Sequence, residues 1–207
     1  MFTWIHGTSV SLQRRLADLL AAAPAPLGTR FGSGGTARVS LHTPQEMAEI
    51  PEEGLSLWLY RIVRDEFRLN QPPVRVAPDR MRRAALPVRL HYLVTPIVTS
   101  GNGAVGAPEI EQLVIGKVLE GFHDRPGLAG AELLGELAGS GLELTVRLET
   151  LALDEITRVW DALDRPYQLC LSYEVSLLPI FATREMATGA PVTIVEPEYG
   201  LAAEPRA

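Results

Sequence analysis

Gly101, Gly103 and Gly106 stand in the G-x-G-x-x-G spacing of a dinucleotide fingerprint, inside TSGNGAVGAPEIEQ at residues 99 to 112. A strand-like run precedes them and a helix-like run follows. In a nucleotide-binding turn the helix must open within the motif, so that its free N–H groups and positive end face the pyrophosphate. Pro108 opposes this. It pushes Ala107 away from helical backbone and itself suits the first helical position, which leaves all three glycines outside the helix. The preceding strand also carries Arg89 and His91 on one face, whereas the first strand of a dinucleotide fold is covered on both. The spacing reads first as a strand-to-helix connection, with a nucleotide-dependent enzyme using this loop as the alternative.

Other residues capable of chemistry lack companions. Gly32 to Gly35 is not followed by Gly-Lys-Ser/Thr, and Lys117 is the only lysine, so a phosphate-binding P-loop is excluded. Cys170 is a lone cysteine in the middle of an alternating apolar run, where a thiol is normally a small buried hydrophobe. No Gly-x-Ser-x-Gly elbow occurs, and Glu49, Glu52 and Glu53 flank Pro51 and Gly54 in what reads as a solvated turn. His6, His42, His91 and His123 form no local metal-ligand pair. We therefore expect no catalytic residue, metal or cofactor. Trp58 and Trp160 read as core, with a partner-facing role as the alternative for Trp58. Arg75, Arg80, Arg82 and Arg83 are the candidates for recognition: a cationic loop on an acidic chain steers an acidic partner or fixes a subunit contact.

The elements that must carry these residues follow from periodicity. Leu12, Leu16, Leu19 and Leu20 recur at helical spacing, with Ser9 or Ser11 as the expected cap and Pro24 and Pro26 as stops. Residues 24–54 are rich in Gly, Pro and small polar side chains and are expected to be a flexible loop with a short strand at 38–41. Leu55, Leu57 and Leu59 alternate with Ser56, Trp58 and Tyr60, and Val88, Leu90, Tyr92 and Val94 alternate with Arg89 and His91. Between these two strands, residues 70–85 read as a solvated hairpin-like connection. A helix is expected over 109–122, another turn or two of helix within 128–137, a strand around Leu144, Val146 and Leu148, and a helix over 153–163. The longest strand is expected over 167–180. Its apolar set is Tyr167, Leu169, Leu171, Tyr173, Val175 and Leu177. Strands with one polar face belong to antiparallel or mixed sheets, so the fold class is α+β with helices packed mainly on one face.

At 207 residues and 46% hydrophobic composition the chain suffices for one domain, placed at 1–182, with 183–207 as a C-terminal arm or tail. Val192, Ile194 and Val195 form an apolar patch in that arm, bounded by Pro191 and Pro197, which reads as an edge strand or as a segment that pairs with another chain. A net charge of -6 argues against nucleic acid as a partner, and no run is long enough to suggest a membrane span or signal segment. The expected compartment is the cytoplasm.

Five blocks carry a resemblance: LSLWLYRI (55–62), LPVRLHYLVTPI (86–97), EQLVIGKVLEGFHDRPGL (111–128), LTVRLETLALDEITRVWDAL (144–163) and PYQLCLSYEVSLLPI (166–180). In this order, over residues 5 to 182, the chain resembles the N-terminal domain of the cap, or tail-terminator, proteins of bacterial contractile injection systems. The resemblance implies a non-enzymatic subunit of a hexameric ring. That ring would close the distal end of tube and sheath, fix the particle's length, contact sheath and inner tube proteins, and be released with the phage-tail-like particle. Another phage tail-completion or adaptor protein of the same fold remains an alternative. The glycine-rich stretches at 32–35 and 101–106 depart from the family pattern.

Overall fold

The computed structural model describes residues 2–50, 53–98 and 107–189. Its centre is a six-stranded sheet built from β1 (Arg38–Ser40), β2 (Gly54–Arg64), β5 (Leu86–Ile97), β6 (Gly127–Ala129), β7 (Glu143–Leu148) and β8 (Leu171–Ile180). Their order across the sheet is β1-β2-β5-β8-β7-β6, with β1 parallel to β2 and every other pairing antiparallel. A second sheet of three short strands, β3 (Val74–Ala77), β4 (Arg80–Arg82) and β9 (Glu185–Ala187), is ordered β3-β4-β9. The α+β class and the mixed sheet are as the alternation predicts.

The predicted alternation of β2 and β5 assigns the two faces of the large sheet. Leu55 and Leu57, with Leu90, Tyr92 and Val94, face a core closed by α1 (Trp4–Ala21) and α4 (Ala107–Asp124). The opposite face holds a smaller cluster in which Leu93 packs with Trp160 and Leu163 from α5 (Leu153–Ala162) and its C-terminal boundary, and with Cys170. Trp58 and Tyr60 pack against this second cluster, so Trp58 is partly covered from within its own chain. Within α5, Leu153 does not share the burial of Trp160. It is 71% exposed, whereas Trp160 is 1% exposed.

The N-terminal helix begins earlier than its leucine stripe suggests. Thr8, Ser9 and Ser11 donate their hydroxyls to the carbonyls of Trp4, Ile5 and Gly7, four residues back, which allows them to lie buried inside α1. Ser9 or Ser11 as the cap is thus overturned. Ser9 also shares a 2.8 Å hydrogen bond with Tyr92 across the core, and Ser11 accepts one from the Leu134 amide. Gly121 sets the crossing of α1 and α4, because a Cβ there would lie 2.3 Å from a Leu19 methyl.

Residues 24–54 are more regular than their composition suggests. They contain α2 (Leu27–Phe31), β1 and α3 (Pro44–Glu49). Helix α3 carries a capping box: Thr43 accepts from the Glu46 amide at 3.1 Å, and the Glu46 carboxylate accepts from the Thr43 amide at 2.8 Å. The Thr-Pro-Gln-Glu string at 43–46 held that signal. Met47, fully buried, ties the helix to the body, and Arg30 pairs with Glu53. Gly54 joins β1 to β2 at φ +148°, where a Cβ would meet the Arg38 carbonyl at 1.8 Å.

Two further expectations change. The 128–137 stretch forms β6 and two 3-10 turns, with Leu133 and Leu137 buried beneath it, instead of helical turns of the α type. The strand expected from Tyr167 begins only at Leu171, so β5, with 12 residues, is the longest. Ahead of it, the Trp160 indole N–H donates to the Cys170 sulfur at 3.4 Å, and Tyr167 stands edge-on to the same ring. Cooperation with α5 takes those residues out of the ladder. At the far end Pro179 remains in register opposite Pro87, and the pairing slips between Val88↔Leu178 and Leu90↔Val175. The slip brings both Val175 and Leu178 into the larger core.

Candidate interaction surfaces

The four arginines singled out by the sequence lie on or beside the small sheet. Arg80 and Arg82 project from β4 onto Glu185 of β9, at 3.3 and 3.2 Å. The hydrogen bond from Arg82, and then that from Arg80, hold the Glu185 carboxyl below its ordinary value. Arg75, on β3, donates to the Pro78 carbonyl across the hairpin turn. Arg83 is exposed and, with Ala182 to Ala187, lines a shallow depression of about 680 Å³. Among the described residues, neither Arg75 nor Arg83 has a carboxylate partner.

None of the residues in its three strands is buried. All of β3 except Ala77 is exposed, including Val74 at 58% and Val76 at 40%. Three strands normally need an apolar face to fold on their own. This sheet instead hangs from the ends of β2, β5 and β8, where Phe67 and Leu86 are also exposed.

A second surface surrounds α5. Asp154, Glu155, Asp161 and Asp164 are exposed there, and Leu153 and Tyr167 expose half or more of their area. Beneath α5 runs a polar row: His91 bonds through Nδ1 to Glu149 at 2.8 Å, Ser172 donates to the same carboxylate at 2.6 Å, and Arg89 pairs with Glu174 at 3.0 Å. Burial raises the Glu149 carboxyl, but the bonds from His91 and Ser172 outweigh it, and the net value is lowered. Ligand atoms of His91, Glu149 and Glu174 lie within 4.8 Å of one another, a spacing compatible with a cation. The two carboxylates already accept from His91, Ser172 and Arg89, and these bonds tie β5, β7 and β8 together. Sequence spacing gave no hint of it, because its members come from three separate strands or their ends.

Cys170 does not resemble a nucleophile. Burial pushes its thiol up, away from the reactive thiolate, and its neighbour is an indole N–H. Glu49 accepts from Gln45 on α3, and Glu53 is paired with Arg30, so these two carboxylates do not converge. Glu52, the glycines at 101, 103 and 106, and the apolar residues Val192, Ile194 and Val195 lie outside the described residues. The helix that follows the glycines is described from Ala107, with Pro108 in its first turn.

An apolar groove of about 620 Å³ runs between the end of α4 and β7, lined by Leu119, Phe122, Pro126, Val146, Leu148 and Tyr173 among others. Strand β6 pairs with β7 only as far as Thr145. No helix of the described residues is long and apolar enough to cross a membrane.

Residues 10–194 match the family described as the Pvc16 N-terminal domain. The chain belongs to that family. Its fold is similar to that of two solved structures. One is a sheath/tube terminator of the extracellular contractile injection system PVC in its extended state, at TM-score 0.57 and 17% identity over 94% of this chain. The other is the tube-terminating cap of the anti-feeding prophage, at TM-score 0.59 and 18% identity over 92% of this chain. The Pvc16 family member described here spans 64% and 61% of the lengths of those two chains. No protein of curated function matches it.

Proposed function

We propose that this chain is a structural subunit of the cap that terminates the tube and sheath of a contractile injection system. Copies assemble into a ring, expected to be hexameric, that closes the distal end of the particle and stops growth at a set length. The observation that carries this reading is the family match over 10–194, joined to the likeness of fold with two terminators. The chemistry is consistent with it. The polar cluster under α5 is internally hydrogen-bonded, the thiol is buried, and the large uncovered surfaces belong to strands and helix ends. We read residues 1–182 as the ring domain and 183–207 as an arm. Within that arm, Val192, Ile194 and Val195 pair as a strand with a neighbouring subunit, since main-chain pairing gives affinity with little demand on sequence.

The test combines mass with end-binding. Light scattering of the purified protein gives a closed oligomer, and electron microscopy places it at the ends of purified tubes or sheaths. A strict monomer at high concentration that ignores those ends contradicts the proposal. Dinucleotide binding measured by calorimetry, and lost in Gly103→Ala, would support the enzyme reading instead.

A further inference from the structure

The two exposed surfaces have opposite charge and lie at opposite ends of one strand. Residues 64–83, leading into and forming the hairpin of the small sheet, hold six arginines against three acids, on a chain whose net charge is -6. Residues 153–164, α5 and the turn that follows it, hold four exposed acids against one arginine. Strand β8 links them. Its first residue, Leu171, follows Cys170, which the α5 tryptophan grips, and its last, Ile180, leads into β9 of the small sheet. Ten residues of strand separate the two ends by roughly 30 Å.

Apolar surface accompanies charge on both sides. Val74, Val76, Phe67 and Leu86 are exposed at the basic end, and Leu153 and Tyr167 at the acidic end. Apolar contact ringed by complementary charge is the composition of a specific protein interface. A chain carrying both halves of such an interface at opposite ends makes a heterologous, head-to-tail contact, and when the rotation between copies closes, that contact produces a ring.

We infer that neighbouring copies of this chain join head to tail, with the arginine hairpin of one subunit seated against α5 of the next. The inference rests on the ring-subunit reading above and supplies its contact. Arg75 and Arg83 are the hairpin's available cations, because Arg80 and Arg82 are engaged with Glu185. On α5 the matching anions are Asp154 and Asp161. They are seven residues apart and therefore share a helix face, and Asp154 is only loosely paired with Arg158 at 3.9 Å. Polar pairing of this kind is screened by salt, so assembly weakens as ionic strength rises.

Charge reversal tests the pairing. One variant carries Arg75→Glu and Arg83→Glu; a second carries Asp154→Arg and Asp161→Arg. Circular dichroism and melting confirm that each is folded. In sedimentation, each alone is expected to dissociate at concentrations at least about tenfold above those at which the wild type does. An equimolar mixture is expected to recover the wild-type mass, because each variant then presents to the other the charge it lacks. The fourfold variant, which reverses both surfaces of one chain, is expected to recover it alone. Single reversals that leave the oligomer intact, or a mixture that fails to restore it, overturn the inference. So do reversals that spare the mass but abolish attachment to tube or sheath ends, which would assign these surfaces to those partners. In all these cases the wild-type ring persists and the cap reading survives. A wild type that is monomeric and does not bind tube or sheath ends sinks both.

Discussion

The two sheets of this molecule are held together by different forces. In the large sheet, leucines, valines and aromatics from β2, β5 and β8 lie between α1 and α4 on one face and meet α5 on the other. In the small sheet, three strands with no buried residue are joined by short ladders and by two arginines on one glutamate. Burial of a leucine side chain stabilises by about 1.5–3 kcal/mol, whereas exposed ion pairs contribute up to about 1 kcal/mol. The large sheet is thus the folding unit. The small sheet depends on it for position.

Breaking the large sheet's core gives the largest expected effect. Leu90, fully buried in the middle of β5, when replaced in Leu90→Ala, is expected to lose about 2–5 kcal/mol in denaturant unfolding. Next comes the β1–β2 junction. Gly54→Ala forces a side chain into the left-handed region and against the Arg38 carbonyl, with an expected cost of about 1–3 kcal/mol and loss of amide protection in β1.

The polar row beneath α5 ranks third. Glu149→Gln weakens two hydrogen bonds and is expected to cost about 1–2 kcal/mol at neutral pH. Its sign with pH is fixed. Because the folded carboxyl is held below its ordinary value of 4.5, its stabilisation is present above that value and disappears as pH falls through the folded one. The gap between wild type and variant, followed by urea titration from pH 7 to 3, is therefore expected to shrink on acidification.

The smallest effect on global stability is expected at the small sheet. Glu185→Gln should leave the melting midpoint unchanged within error while amide exchange accelerates in β4 and β9. A drop in Tm comparable to that of Leu90→Ala would show that the two sheets unfold as one unit.

Much of the large sheet was legible because alternation is a direct consequence of one-sided burial. Leu55 and Leu57, and Leu90, Tyr92 and Val94, read correctly to a single face. The interruptions were not legible. The slip between Val88 and Leu90 moves Leu178 into the core, and only the geometry of paired strands reveals it. Hydroxyls misled at α1, since a serine cap and a serine bonded to its own helix look alike until the backbone is placed. The Thr43–Glu46 capping box was readable, but the glycines and prolines around it favoured a loop. For the surfaces, composition pointed to the arginines. The acidic counterpart around α5 gained meaning only once both were seen at opposite ends of β8.

As proposed above, this chain ends a tube. The most direct test of that claim is electron microscopy of particles assembled with a tagged copy, together with particles from a strain lacking the chain. The account predicts label at one end of each particle, and uncapped tubes and sheaths of irregular length when the chain is missing. Label distributed along the shaft or absent from it, with particle length unchanged by deletion, would contradict the claim.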